Sequence, residues 1–160
     1  MNGRVIAGGL VLFSVAFGAA LWWFQTRGHY DEVAGLDVVE IAGAAAEVED
    51  YRGLDGASSP LKLRGCFRVA GAVDGPPAPD AEPLIAPGWF DCFDAEAIAS
   101  DLGSGAARAV LAAFNEPYGF DRVVALYPDG RAFQWRQINP CGEAHFAGDP
   151  LPEACPPPSE

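Results

Sequence analysis

The sequence predicts an α+β protein: one N-terminal transmembrane helix followed by a small domain of about four to five antiparallel strands and two short helices. Three observations predict it. Val5–Phe24, "VIAGGLVLFSVAFGAALWWF", runs 20 residues without a charge. "LKLRGCFRV" alternates in the two-residue period of a strand, and "FDRVVALY-PDG-RAFQWRQI" reads as two strands about a tight turn. "AEAIASDL" follows Asp94, a residue type that favours the position just before a helix.

Twenty apolar residues at ~1.5 Å each cover the ~30 Å of a hydrocarbon core. Arg4 and Arg27 flank the run, and Trp22, Trp23 and Phe24 lie at its far end, where amphipathic rings favour the headgroup layer. A cleaved signal peptide is the alternative, since Ala16-Phe17-Gly18 and Gly18-Ala19-Ala20 have small-x-small spacing. The apolar run continues past both, and a single Arg precedes it, which favours an uncleaved anchor. Ser14 with Gly18, and Ala16 with Ala20, give small-xxx-small pairs that permit helix pairing in a membrane.

The expected organisation is a cytoplasmic stub and transmembrane helix over 1–26, a polar linker over 27–35, an exported domain over 36–150 and a proline-rich tail over 151–160. All 22 acidic residues follow the apolar run, against eight basic residues beyond residue 28, a formal charge of −14 for that part. The basic residues near the run are almost balanced, so the positive-inside bias is small. A short stub before a folded body favours a cytoplasmic N-terminus and an exported C-terminal domain. The acidity argues against nucleic acid as a partner, and against a body lying flat on anionic lipid.

Within the domain, "LDVVEIAG" and "AEVEDYRGL" read as strands. In "LKLRGCFRV", Leu61, Leu63, Phe67 and Val69 share one face, and Lys62, Arg64, Cys66 and Arg68 share the other. The basic face is expected to pair with nearby carboxylates. "AGAVDGPPAPDAEPLIAPGW" holds five prolines, a density that excludes regular structure and predicts an extended crossover. Two helices are expected next, "AEAIASDL" after Asp94 and "GAARAVLAAF" after Ser104, with Ile98–Leu102 and Val110–Phe114 as apolar i, i+4 pairs. Asn115, Pro117 and Gly119 end that stretch. From Asn139 onward the chain reads as loop.

Four cysteines, Cys66, Cys92, Cys141 and Cys155, all lie beyond the apolar run. An even count in an exported domain points to disulfides. Of three pairings, Cys66–Cys92 and Cys141–Cys155 close the shorter proline-containing loops and are favoured. Cys92 lies just before a helix start, where the dipole would lower its pKa, but Asp91 and Asp94 would raise it.

The same residues leave two chemical alternatives. "CGEAH" sets Cys141, Glu143 and His145 at alternate positions, so an extended segment would point three metal ligands one way. Asp91, Asp94 and Asp121 are the candidates for carboxylate catalysis in a hydrolase. Neither is preferred. Trp89, Phe90 and Phe93 read as core, as does Trp135 with Phe133. The preferred reading assigns no catalytic, cofactor-binding or metal-binding residue, and no cofactor.

Five segments together resemble an uncharacterised bacterial family with one N-terminal anchor and a small exported domain: "MNGRVIAGGLVLFSVAFGAALWWFQT", "SSPLKLRGCF", "EPLIAPGWFDCFDA", "YGFDRVVALYPDGRAFQWRQINPCGEA" and "DPLPEAC". The resemblance implies an anchor in preference to a signal peptide and carries no activity, substrate or functional residue. The expected role is therefore a non-enzymatic accessory or interaction subunit of the inner membrane. It would be held there by residues 5–24, with the domain in the periplasm beside a larger membrane protein complex.

Overall fold

A computed structural model describes residues 2–158. The chain forms two compact units, Met1–Tyr30 and Asp31–Glu160. The first is helix α1, Gly3–Thr26, long and apolar enough to cross a membrane. None of its side chains is buried by the chain, and Leu10, Val11, Leu12, Phe13, Val15 and Phe17 all stand exposed. Such a surface suits hydrocarbon and is costly in water. Its polar side groups are satisfied within the helix. Ser14 Oγ donates to the Leu10 carbonyl at 2.9 Å, and Thr26 Oγ1 to that of Trp22 at 2.7 Å.

The second unit is an α+β domain built on a seven-stranded antiparallel sheet, more strands than the four to five expected. The strands are β1 Asp31–Ala34, β2 Val38–Ile41, β3 Ala44–Asp55, β4 Arg64–Val69, β5 Arg108–Ala113, β6 Phe120–Leu126 and β7 Arg131–Ile138. The order is β1-β3-β4-β7-β6-β5, with β2 also on β3. Helix α2, Ala95–Ser104, stands between β4 and β5 in the chain, and α3, Pro140–Ala147, follows β7.

β3 is the organising strand. It carries an extra residue between Glu49 and Arg52, with Asp50 at φ 54°. The bulge lets one edge of β3 hold β2 at Ala44–Glu47 and β1 at Arg52–Asp55. The turn after β2 then donates Ala42 N–H to the Ala112 carbonyl of β5 at 2.8 Å. The two ends of the sheet are thereby drawn together around one core, which includes Ile41, Tyr51, Phe67, Val110, Val124 and Leu126.

The opposite face of the sheet is covered by the proline-rich crossover and α2. Phe93 packs edge-on against Phe133 and Trp135, at 6.1 and 6.4 Å between ring centres. Trp135 and Leu54 are fully buried, and Ile98 of α2 nearly so. Asp94 Oδ1 accepts the Ala97 N–H at 3.0 Å, the expected cap, and Gly105 closes α2 at φ 79°. The Pro128-Asp129-Gly130 turn joins β6 and β7 as expected, with Gly130 N–H donating to Tyr127 O at 3.1 Å.

Four expectations fail in the fold. Asp31–Ala34, within the stretch read as linker, is strand β1. "GAARAVLAAF" is not a helix. Ser104 ends α2, and Arg108–Ala113 is strand β5, because β6 supplies a full antiparallel partner from Arg108↔Leu126 to Ala113↔Arg122. The segment after Asn139 is not loop but α3, with Asn139 as cap and Pro140 in the first turn. The basic face of "LKLRGCFRV", expected to pair with carboxylates, is instead interior at Arg64, which donates to main-chain oxygens, and exposed at Arg68. β4 lies mid-sheet between β3 and β7, so Arg64, Gly65, Cys66 and Phe67 are all buried.

Candidate functional site

The corner at Pro87–Ile98 gathers Asp91, Cys92 and Asp94, and each of the three is committed to structure. Cys92 is bonded to Cys66 of β4. Asp91 Oδ1 accepts from Arg52 Nη2 at 3.0 Å, and that guanidinium lies 5.8 Å from the Phe90 ring centre. Phe90 and Phe93 are buried, and Trp89 is half-buried with its ring edge-on to Phe90.

Arg64 locks the same corner from below. Its Nε donates to Leu84 O at 2.8 Å and Nη2 to Ile85 O at 3.1 Å. Nη1 donates to Leu61 O at 2.7 Å and Leu63 O at 2.6 Å. The crossover has few regular main-chain partners, and a buried carbonyl without a donor is costly. One guanidinium meets two of them, at Leu84 and Ile85, and two more carbonyls just before β4, at Leu61 and Leu63.

The metal arrangement expected at Cys141, Glu143 and His145 does not form. The expectation required an extended chain, but these residues lie on α3, where two-residue spacing turns successive side chains by ~200°. Cys141 is bonded to Cys155, and His145 packs edge-on against Tyr118 at 5.5 Å. No group of three His, Cys, Asp or Glu side chains fit to hold a metal occurs among the described residues. The three carboxylates also serve separate ends. Asp91 pairs with Arg52, Asp94 caps α2, and Asp121 accepts Asn115 N–H at 3.0 Å and Asn139 Nδ2 at 2.6 Å.

Sequence reasoning missed a polar cluster on the core face. Arg122 of β6 lies directly opposite Arg136 of β7. Glu116 bridges them, with Oε2 3.2 Å from Arg122 Nη2 and Oε1 3.7 Å from Arg136 Nη2. Asp55 takes the other side of Arg136 at 3.2 Å, and Arg122 Nη1 donates to Glu40 O at 2.7 Å. Beside them Gln134 Nε2 donates to the Tyr51 hydroxyl at 2.7 Å. Burial pushes the Tyr51 phenol above its ordinary range, against the pull of that hydrogen bond. The turn at Asp129 sets this register, so the Arg122–Arg136 pairing was readable from the hairpin alone. With two carboxylates against two guanidiniums, the cluster is charge-balanced.

Large apolar side chains stand exposed at the sheet end near α3. Phe146 is 60 % exposed, Phe114 50 % and Ile138 38 %. The Phe120 ring lies 5.7 Å from that of Phe146 and is the register partner of Ile138. Phe146, Phe120 and Ile138 thus lie together at one end of the domain.

Residues 36–156 match a family of unknown function (DUF6446). No curated protein and no solved structure matches the chain.

Proposed function

The chain belongs to this bacterial family of unknown function (DUF6446), and from that premise we propose a single-pass accessory protein of the inner membrane. Its N-terminus is cytoplasmic, and its periplasmic domain acts by binding a larger membrane complex rather than by catalysis. The observation that carries the reading is the pairing of an apolar helix with a disulfide-bonded domain on one chain. All four cysteines are bonded in that domain, which suits an oxidising compartment. The domain side also holds the −14 formal charge, while Arg4 precedes the helix.

A binding role is further supported by the exposed apolar end around Phe114, Ile138 and Phe146, and by the structural employment of Asp91, Asp94 and Asp121. Protease treatment of intact spheroplasts tests the topology: the domain should be digested without lysis, and protection until lysis overturns it. Cross-linked pull-down from detergent extracts tests the role. Recovery within a larger complex is expected, and recovery only as a lone monomer overturns the reading.

A further inference from the structure

A groove of about 520 Å³ opens between the crossover segment Pro77–Leu84, the ends of β6 and β7, and the first turn of α3. Its apolar wall is Leu61, Leu84, Leu111, Val123 and Ile138. Asp80, Glu82 and Glu143 stand exposed around it, and neither lysine nor arginine lines it. Among the described residues these three carboxylates enter no ion pair. Asp121 also lines the groove, but its carboxylate is held by Asn115 and Asn139.

The groove is pre-formed. Gln137 of β7 spans it, accepting Glu82 N–H at 2.9 Å and Trp135 Nε1–H at 3.0 Å and donating to Asp80 O at 2.8 Å. A site already held in its binding shape loses little in ordering when occupied. Ile138 connects it, through Phe120, to the exposed Phe146.

We propose that this groove docks a partner-protein segment carrying Lys or Arg beside an apolar side chain. The inference rests on the accessory reading and names the chemistry of the partner. The apolar wall gains ~25 cal/mol for each Å² it covers. The rim leaves three carboxylates for cations, and the field of a domain at −14 draws in basic segments and repels acidic ones. A second copy brings the same negative charge, and anionic lipid is repelled for the same reason. Charge therefore selects a basic protein segment over both.

The test is photo-cross-linking in membranes of the source organism, using the full chain with p-benzoylphenylalanine in place of Ile138. Val38, exposed on β2, carries the same probe as control. A discrete protein adduct from position 138 is expected, with the cross-linked peptide containing Lys or Arg. Adding D80K, E82K and E143Q should lower its yield by about tenfold, as expected for several exposed ion pairs lost or reversed together. An unchanged melting temperature shows that the triple variant still folds.

An adduct to a second copy, to lipid or to an acidic peptide overturns the proposal, as does a yield indifferent to the three substitutions. Adducts only from position 38 overturn the groove and leave the accessory reading standing. Absence of adducts at both positions, together with a lone monomer in pull-down, overturns both.

Discussion

Arg64 Nε donates to the main-chain oxygen of Leu84 at 2.8 Å, across 20 residues of sequence. A buried cation on β4 thus does for the crossover what a partner strand does for a strand. Arg64→Lys keeps the charge but loses the planar fork that reaches several carbonyls at once. The expected cost is about 1–3 kcal/mol, read as a lower urea midpoint at unchanged slope. A change under about 0.5 kcal/mol, the usual size for an inert surface position, would refute the locking role.

The two disulfides should fail differently. Their sequence separations are 26 and 14 residues, so loop closure predicts about 3 kcal/mol for each. C66A/C92A should open the crossover to limited proteolysis between Asp80 and Gly88. C141A/C155A should instead release the tail, which Tyr118 Oη–H also holds at Pro156 O, 3.0 Å away. The intact chain should titrate no free thiol when denatured without reductant.

Alkaline pH should unfold the domain partly through Tyr127. Burial, then the hydrogen bond to Asp101 at 2.8 Å and the charge of that carboxylate, push its phenol from 10.0 up to about 12. Between those values the unfolded chain has released a proton that the folded chain retains. This contribution is therefore complete below pH 10 and is lost as pH rises toward 12. Tyr127→Phe should cost about 1 kcal/mol at neutral pH for the lost hydrogen bond, yet lose less stability than the parent between pH 9 and 11.5, compared by urea unfolding.

Gly142→Ala should be severe. A Cβ there would overlap the Gly119 carbonyl oxygen, and its neighbour is main chain rather than a movable side chain. Gly142 N–H also donates to Asn139 Oδ1 at 2.9 Å, so α3 cannot simply back away without losing its cap. A loss of about 3 kcal/mol is expected, visible as a lower melting temperature, while Ala144→Gly on the same helix should cost about 1 kcal/mol.

Local signals made some of this fold legible. The Pro-Asp-Gly turn and the Asp94 cap act within a few residues, and both elements stand where they were expected. "GAARAVLAAF" misled because alanine and leucine favour helix, whereas Val110 and Ala112 are buried on alternate positions by the partner strand β6. The α3 start carried its own marks, Asn139 then Pro140, with Gly148 to end it, but proline density nearby hid them. Arg64 could not be read at all. Its alternation is that of a solvent face, and only the long-range placement of β4 between β3 and β7 makes it interior. The groove at Gln137 is illegible for the same reason, since its walls come from five separate stretches of chain.

The prolines of the crossover have a consequence for self-association. Pro77 bridges to Val110, Leu111 N–H donates to Pro76 O, and Ala78 N–H donates to Ala109 O. Pro76, Pro77 and Pro79 carry no N–H, and the Ala78 N–H is already used. A foreign strand arriving along Pro76–Pro79 finds no free amide to pair with, which makes the β5 side of the sheet a poor template for another chain. That inertness guards the sheet against fibrillar growth from this flank.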